Sequence, residues 1–303
     1  MTTNTIAVSF VQNFRDQVYV LAQQKQSKFD PYVRDDPNEV SAKRFFYERI
    51  GQTSARRRTT RHADTPIADT PHSRRGGTLL NDEWADLIDK EDAGKMLIAG
   101  QLPATYREVG MGALLRTRDE IIRDAIQGNA YSFDEDDAST TVALPAAQKI
   151  DASGSGLTLA KLNNTREIFE LADIDPDDVK PFAVSPKQMT NLLNTTEIKS
   201  ADYNSVKALV EGRIDTFMGF KFINTNRLTL SGTTRQCLAW HPSGVGKATN
   251  PLDNGSGMMA GDIYVALDFR PDKGNALQVM LAQAFGATRI EDAKCVQIDC
   301  TES

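Results

Sequence analysis

The sequence contains one stretch that could bind a phosphate group. In HPSGVGKA (241–248), a Gly-Lys pair follows a turn-forming segment. A phosphate-binding loop requires a glycine five residues before the Gly-Lys pair and a serine or threonine directly after it. His241 and Ala248 occupy those two places, so the first turn of the cradle and the magnesium-binding hydroxyl are both missing. The loop therefore does not predict nucleotide binding.

A second set of side chains could bind a metal ion. It consists of His62, Asp64, Asp69 and His72. Their spacing fits neither one face of a helix nor a zinc knuckle. Arginines dominate the same segment and oppose the binding of a cation, whereas Asp-Thr pairs before proline commonly set turns. We therefore expect turns here, and no metal or other cofactor.

The sequence gives equally little support for a set of catalytic side chains. Only three histidines occur, and two of them lie in the arginine-rich segment. The third, His241, precedes a proline in a turn and is expected to be structural. Acidic runs such as DEDD (134–137) and DPDD (175–178) are typical of solvated loops. The sequence therefore predicts no catalytic residues and no enzyme activity.

Composition is ordinary for a globular protein. The 303 residues are 40% hydrophobic and 25% charged, with a formal net charge of −6. An acidic chain is unlike a dedicated nucleic-acid-binding domain, which is normally basic. Three cysteines give no even disulfide framework and are expected to be buried free thiols. No secretory signal and no apolar run of about 20 residues is recognisable, so no membrane partner is predicted.

Against this acidic background, residues 56–77 concentrate positive charge. The segment RRRTTRHADTPIADTPHSRRGG has six arginines and no lysine. Strand-forming residues from 43 precede it, and a returning strand that runs into a helix start is predicted after it. The whole of 43–85 is thus predicted to be a two-stranded arm with a basic, proline-containing tip. Such a ribbon is marginal alone and needs a second surface.

Three interpretations of the basic tip remain open. It could contact nucleic acid, although the aromatic side chains that stack on bases are missing from it. It could be a solvated loop. We favour a contact between copies of the chain, because residues 82–92 hold six carboxylates against one lysine and arginine binds carboxylate in a bidentate fork. The predicted contact residues are Arg56, Arg57, Arg58, Arg61, Arg74, Arg75, Asp82, Glu83, Asp86 and Asp89.

The remaining elements predict an α+β body. Residues 103–127 have the apolar periodicity of one long helix, which Gly128 can end. Short strands and helices alternate over 157–262. Three strand signals follow, in DIYVALDFR, ALQVMLAQAFG and AKCVQID, and we expect them to lie beside the long helix.

This order of segments resembles the major capsid proteins of tailed bacteriophages, which share the Hong Kong 97 capsid fold. The resemblance covers the whole chain and is carried by the basic arm with EWADLIDKED, by VSPKQMTNLLN, by SADYNSVKALVEGRIDTFMGFKFINTNRL and by AFGATRIEDAKCVQID. It implies a layout in segments. These are an N-terminal arm (1–40), an extended loop (41–88), a peripheral domain with the spine helix (89–149), an axial domain (150–262) and the C-terminal strands of the peripheral domain (263–303).

The resemblance also implies a function. Copies would assemble as hexamers and pentamers into an icosahedral head around double-stranded DNA, bound without sequence specificity. The chain would be assembled in the bacterial cytoplasm and end in the virion, and scaffolding, portal and cement proteins are further partners that the sequence leaves open. Some family members cross-link neighbouring subunits covalently through a lysine on the extended loop. Because no lysine occurs between Lys43 and Lys90 in this chain, non-covalent contacts are expected. The alternative is a soluble DNA-associated protein whose basic arm grips phosphates.

Overall fold

The computed structural model describes most of the chain. The described residues are 20–35, 43–62, 64–65, 67–89, 102–134, 138–194, 216–250 and 258–302. Much of the predicted N-terminal arm (1–40) lies outside them, as do residues 90–92 of the acidic stretch and all of SADYNSVKALVEGRID (200–215).

Within the described residues, three α-helices combine with many short strands. The helices are α1 (Leu102–Gln127), α2 (Leu159–Leu171) and α3 (Pro186–Leu193). The first strands are β1 (Arg34–Asp35), β2 (Arg44–Ile50), β3 (His72–Thr78), β4 (Leu80–Ile88), β5 (Ala130–Phe133), β6 (Ser139–Val142), β7 (Lys149–Ile150), β8 (Lys180–Val184) and β9 (Thr216–Phe217). The later strands are β10 (Phe220–Asn224), β11 (Leu230–Ser231), β12 (Thr234–Trp240), β13 (Val245–Asn250), β14 (Met258–Ala260), β15 (Ile263–Arg270), β16 (Ala276–Arg289) and β17 (Cys295–Thr301). The predicted α+β fold class is confirmed.

The long helix predicted over 103–127 is α1, and it forms almost to the residue. Leu114, Ile122 and Ile126 are buried along it, as the apolar pattern predicts. Two charged residues of the helix, Arg118 and Asp119, are also buried. The carboxylate of Asp119 accepts hydrogen bonds from the backbone N–H groups of Lys28 and Phe29, so its burial is compensated.

The chain divides into two compact units. The first contains the described parts of 1–26, 81–117 and 251–284, and the second those of 27–80, 118–250 and 285–303. Long elements such as α1 and β16 therefore contribute to both units.

In the first unit, the beginning of α1 covers a sheet. Strands β14, β15 and β16 pair antiparallel, and β4 also pairs with β16. Leu114 packs with Val279 and Leu281 of β16 in a buried cluster. A Cβ at Gly110 would lie 2.4 Å from the ring of Trp84, so this glycine allows the close approach of helix and indole.

In the second unit, a seven-stranded sheet has the order β7-β17-β12-β8-β10-β9, and β11 pairs with β12. The last tail strand, β17, is thus a neighbour of β12, with Cys237 opposite Ile298. Helices α2 and α3 contribute Phe169 and Leu192 to the core of this unit. The expectation that all three tail strands lie beside the long helix misses this pairing, because long-range pairing leaves no mark in the local sequence.

The three cysteines are free and buried, as predicted. Burial raises the pKa of the Cys295 thiol to about 12. No helix in the described ranges is long and apolar enough to span a membrane.

Candidate assembly interface

The basic segment is the tip of a hairpin whose two strands are β2 and β3. They pair antiparallel over seven residues, from Arg44 opposite Thr78 to Ile50 opposite His72. Strand β3 also pairs with β5, and β5 with β6, so the hairpin belongs to a four-stranded sheet. The arm predicted over 43–85 as a two-stranded ribbon that needs a second surface is therefore wrong in its number of strands. Strand β5 pairs with the edge of β3 that β2 leaves open. Residues 80–88, where a helix start was predicted, form strand β4 instead, and β4 pairs with β16.

Aromatic side chains fix the base of this hairpin, which we define as β2 and β3. Phe45 and Tyr47 are both buried on one face and pack edge to face, with ring centroids 6.0 Å apart. The hydroxyl of Tyr47 donates a 2.6 Å hydrogen bond to the carbonyl of Lys247. On the other face, Phe46 packs against Phe133 of β5 at 5.0 Å. Burial of Phe45 and Tyr47 on one face and ring packing of the more exposed Phe46 on the other hold the base in place.

The tip of the hairpin, residues 51–71, has a different environment from the base. Its described residues, 51–62, 64–65 and 67–71, form no regular secondary structure. Its ends are closed by a 2.8 Å hydrogen bond from the Gly51 N–H to the Pro71 carbonyl. All four of its arginines are exposed, and none forms an ion pair with a described residue: Arg56, Arg57, Arg58 and Arg61. The guanidinium of Arg58 donates to the backbone carbonyls of Thr60 and Arg61. The tip thus presents a concentrated positive charge to its surroundings.

Arg74 and Arg75 point to opposite faces of β3, because successive strand residues alternate. Arg74 forms an ion pair of 2.6 Å with Glu48 and lies over the ring of Phe46. Arg75 is only 4% exposed and pairs with Asp292 at 2.7 Å. Both were predicted to contact a second copy. Arg75 is not available for that contact, since its side chain is committed inside the chain.

The surroundings of Arg75 were not foreseen from the sequence. Asp292 also accepts a 2.6 Å hydrogen bond from Arg289, a fully buried residue. Arg49 lies close enough to act on Arg75 electrostatically. Burial lowers the pKa of Arg75, the carboxylate of Asp292 raises it, and the positive charges of Arg49 and Arg289 lower it further. More than 200 residues separate Arg75 from Asp292 along the chain, so no spacing rule could have joined them.

The predicted acidic partners lie on and just after β4. Glu83, Asp86 and Asp89 are exposed, whereas Asp82 is half-buried and accepts a 3.3 Å hydrogen bond from Gln283. Trp84, between them in sequence, packs into the buried cluster of the first unit. The indole of Trp84 is thus partly buried, whereas the carboxylates of Glu83, Asp86 and Asp89 are exposed.

The other candidate sites are structural. Pro242–Gly244 is a single 3-10 turn that leads into a strand and not into a helix, unlike a phosphate-binding loop. His241 lies 2.8 Å from the Ser243 hydroxyl and 3.1 Å from the Asp178 carboxylate, and burial lowers its pKa despite that carboxylate. Across the described ranges, no group of three His, Cys, Asp or Glu residues could hold a metal ion.

Comparisons with known proteins agree on one fold. Residues 6–302 match a family model described as phage capsid protein. The structure is similar to the capsid of cyanophage P-SCSP1u, with a TM-score of 0.69 and 13% identity over 100% of this chain and 96% of that chain. It is also similar to the capsid of Ralstonia phage GP4, with a TM-score of 0.72 and 10% identity over 96% of this chain and 95% of that chain.

An encapsulin shares the same architecture. The structure is similar to the SrpI encapsulin complex from Synechococcus elongatus PCC 7942, with a TM-score of 0.61 and 10% identity over 99% of this chain and 96% of that chain. No curated protein matches the sequence. The Hong Kong 97 capsid fold predicted from the sequence is confirmed by these neighbours.

Proposed function

This chain belongs to the phage capsid protein family, and we propose that its exposed basic tip holds neighbouring copies together in the head. The predicted function, a major capsid protein that forms the head of a phage, agrees with the family. The contacts that join the copies are our proposal. They rest on one observation, the four exposed arginines of the tip that have no acidic partner among the described residues of their own chain.

Charge complementarity identifies what the tip would meet. The exposed carboxylates of Glu83, Asp86 and Asp89 on one copy could accept from the guanidinium groups of another. Guanidinium and carboxylate form paired, charge-assisted hydrogen bonds, and arginine keeps its charge when it is partly desolvated. A single exposed pair contributes little, about 0–1 kcal/mol. In a closed shell each subunit is held by several partners at once, so modest contacts add up to a stable particle.

Assembly of a tip-deficient variant tests this proposal. Replacing Arg56, Arg57, Arg58 and Arg61 by serine should leave the free energy of unfolding within about 0.5 kcal/mol, because exposed side chains contribute little to folding. The variant should sediment as small oligomers where the wild type sediments as particles. A matched control removes four exposed cations outside the tip, Lys149, Arg166, Lys187 and Lys273, and should assemble normally.

Charge reversal makes the same test specific for the proposed partner. Arg57→Glu with Arg58→Glu should block assembly, and adding Glu83→Lys, Asp86→Lys and Asp89→Lys should restore it. Particles of wild-type size from the serine variant would count against the proposal. A serine variant that assembles but loses salt-sensitive DNA affinity would instead support the alternative, a tip that grips phosphates.

The wider setting follows from this function and remains a proposal. The chain would have no enzyme activity, would form hexamers and pentamers around double-stranded DNA, and would be assembled in the host cytoplasm. Scaffolding, portal and cement proteins would be its further partners. The division into segments 1–40, 41–88, 89–149, 150–262 and 263–303 is proposed with one reservation, since β17 pairs with β12 of the axial segment.

A further inference from the structure

A group of buried charges lies at the base of the hairpin, away from the exposed tip. It consists of the guanidinium groups of Arg49, Arg75 and Arg289 around the single carboxylate of Asp292. Three positive charges and one negative charge leave a net charge of +2 (3 − 1). Burying charge without a counter-charge is costly, and an excess of this size calls for compensation.

The hydrogen bonds show which arginine nitrogens of the cluster have an acceptor and which do not. Arg289 is satisfied, since it donates to Asp292 and to the carbonyls of Ile126, Gly128 and Val142. Arg75 uses one nitrogen for Asp292, while its Nε and Nη1 meet no acceptor although both are shielded from solvent. Arg49 donates through Nη1 to the Ile290 carbonyl, and its Nε is likewise buried without an acceptor.

We propose that this cluster is a binding site for a small oxyanion of charge 2−, such as phosphate or sulfate. A dianion would neutralise the net charge of the cluster. It would also supply acceptors to the idle nitrogens of Arg75 and Arg49, and guanidinium groups bind such oxyanions preferentially. Arg49 is half-buried and the side chain of Asp292 is 20% exposed, so the site lies near the surface on that side.

The consequence is a base that is tied to the body by an anion. The side chains of Arg75 and Arg49 belong to β3 and β2, whereas Arg289 and Asp292 belong to the end of β16 and the turn after it. Arg75 already donates to Asp292, and Arg49 donates to the Ile290 carbonyl. An ion held by Arg75 and Arg49 would therefore reinforce the link between the hairpin and the chain that follows β16. This inference does not depend on assembly, because every residue in it belongs to one copy.

Thermal unfolding of the purified full-length chain with added inorganic phosphate tests the proposal. Ionic strength is held constant so that general screening does not change. Binding to the folded state alone raises the midpoint, and we expect a saturable rise of about 2–4 °C for the wild type.

Variants make the readout specific. Arg75→Lys keeps a cation for Asp292 but loses the idle nitrogens, so the phosphate-dependent rise should disappear. Arg49→Gln, which changes a less buried residue, should weaken phosphate binding several-fold and serves if Arg75→Lys does not fold. Arg166→Lys, on the exposed face of α2, should retain the full rise. No phosphate-dependent rise in the wild type, or an equal rise in wild type, Arg75→Lys and Arg49→Gln, would overturn the proposal.

Discussion

The base and the tip of the hairpin are one continuous piece of chain in two different environments. In the base, aromatic rings are buried against the body and the strands pair in a four-stranded sheet. In the tip, the side chains of residues 51–62 are all exposed and the backbone has no regular structure. The contrast teaches that contacts inside the chain specify the base, whereas few such contacts specify the described part of the tip.

The largest expected effect comes from emptying the base. Phe45 is 4% exposed and packs with Tyr47, Leu79, Ala248 and Ile290. Phe45→Ala should lower the free energy of unfolding by about 3–5 kcal/mol, because it removes a buried ring and leaves a cavity. Denaturant unfolding monitored by circular dichroism measures the loss.

The tip supplies the matched control for that prediction. Ile67 is 97% exposed, so Ile67→Ala should change the free energy of unfolding by less than about 0.5 kcal/mol. Similar losses for the two variants would remove the distinction between base and tip.

Adding a side chain to the packed base should lower the free energy of unfolding by less than Phe45→Ala does. A Cβ at Gly286 would lie 2.7 Å from the carbonyl oxygen of Thr78, a backbone atom that cannot turn away. Gly286→Ala should therefore destabilise the chain by about 1–3 kcal/mol. An unchanged denaturant midpoint would mean that β16 can move away from the base at no cost.

Limited proteolysis tests the exposure of the tip directly. Trypsin should cut the unassembled chain first at Arg56, Arg57, Arg58 or Arg61, because these lie on exposed irregular backbone. In assembled particles a contact worth about 1.4 kcal/mol should slow this cleavage roughly tenfold. Mass spectrometry of a time course identifies the sites, and equal rates in the two states would argue against a buried tip in the shell.

The smallest effect is expected at the surface pair of the base. Arg74 and Glu48 are both partly exposed, with side-chain accessibilities of 39% and 65%. Glu48→Gln should cost about 0.2–1 kcal/mol, less at high salt. A loss above about 2 kcal/mol would show that this pair, and not ring packing, anchors the base.

Local patterns were sufficient to predict the elements with short-range signals. The helix over 103–127 and the strands of the tail carry their periodicity in consecutive residues. The hairpin itself was also expected, since strand-forming residues flank a turn-rich, proline-containing segment.

Long-range pairing could not be predicted in the same way. Nothing in SRRGGT indicates that β3 pairs with β5, or that Arg75 lies inside while Arg74 lies outside. The two glycines are the one local hint, because a Cβ at Gly77 would lie 2.4 Å from the ring of Phe45. Of the predicted contact residues, the four arginines of the tip and Glu83, Asp86 and Asp89 are exposed, Arg74 and Asp82 are half-buried, and Arg75 is buried.

A hydrogen bond between Gly51 and Pro71 closes the tip at its two ends. Because the ends are held together in this way, we expect the folding of the body to depend little on the length of the loop between them. Doubling a flexible loop costs only about 0.6 kcal/mol in closure entropy. A foreign peptide inserted between Ala63 and Thr70 should therefore be accepted by the monomer. Whether particles with the enlarged loop still form would then measure how much room neighbouring copies leave around the tip.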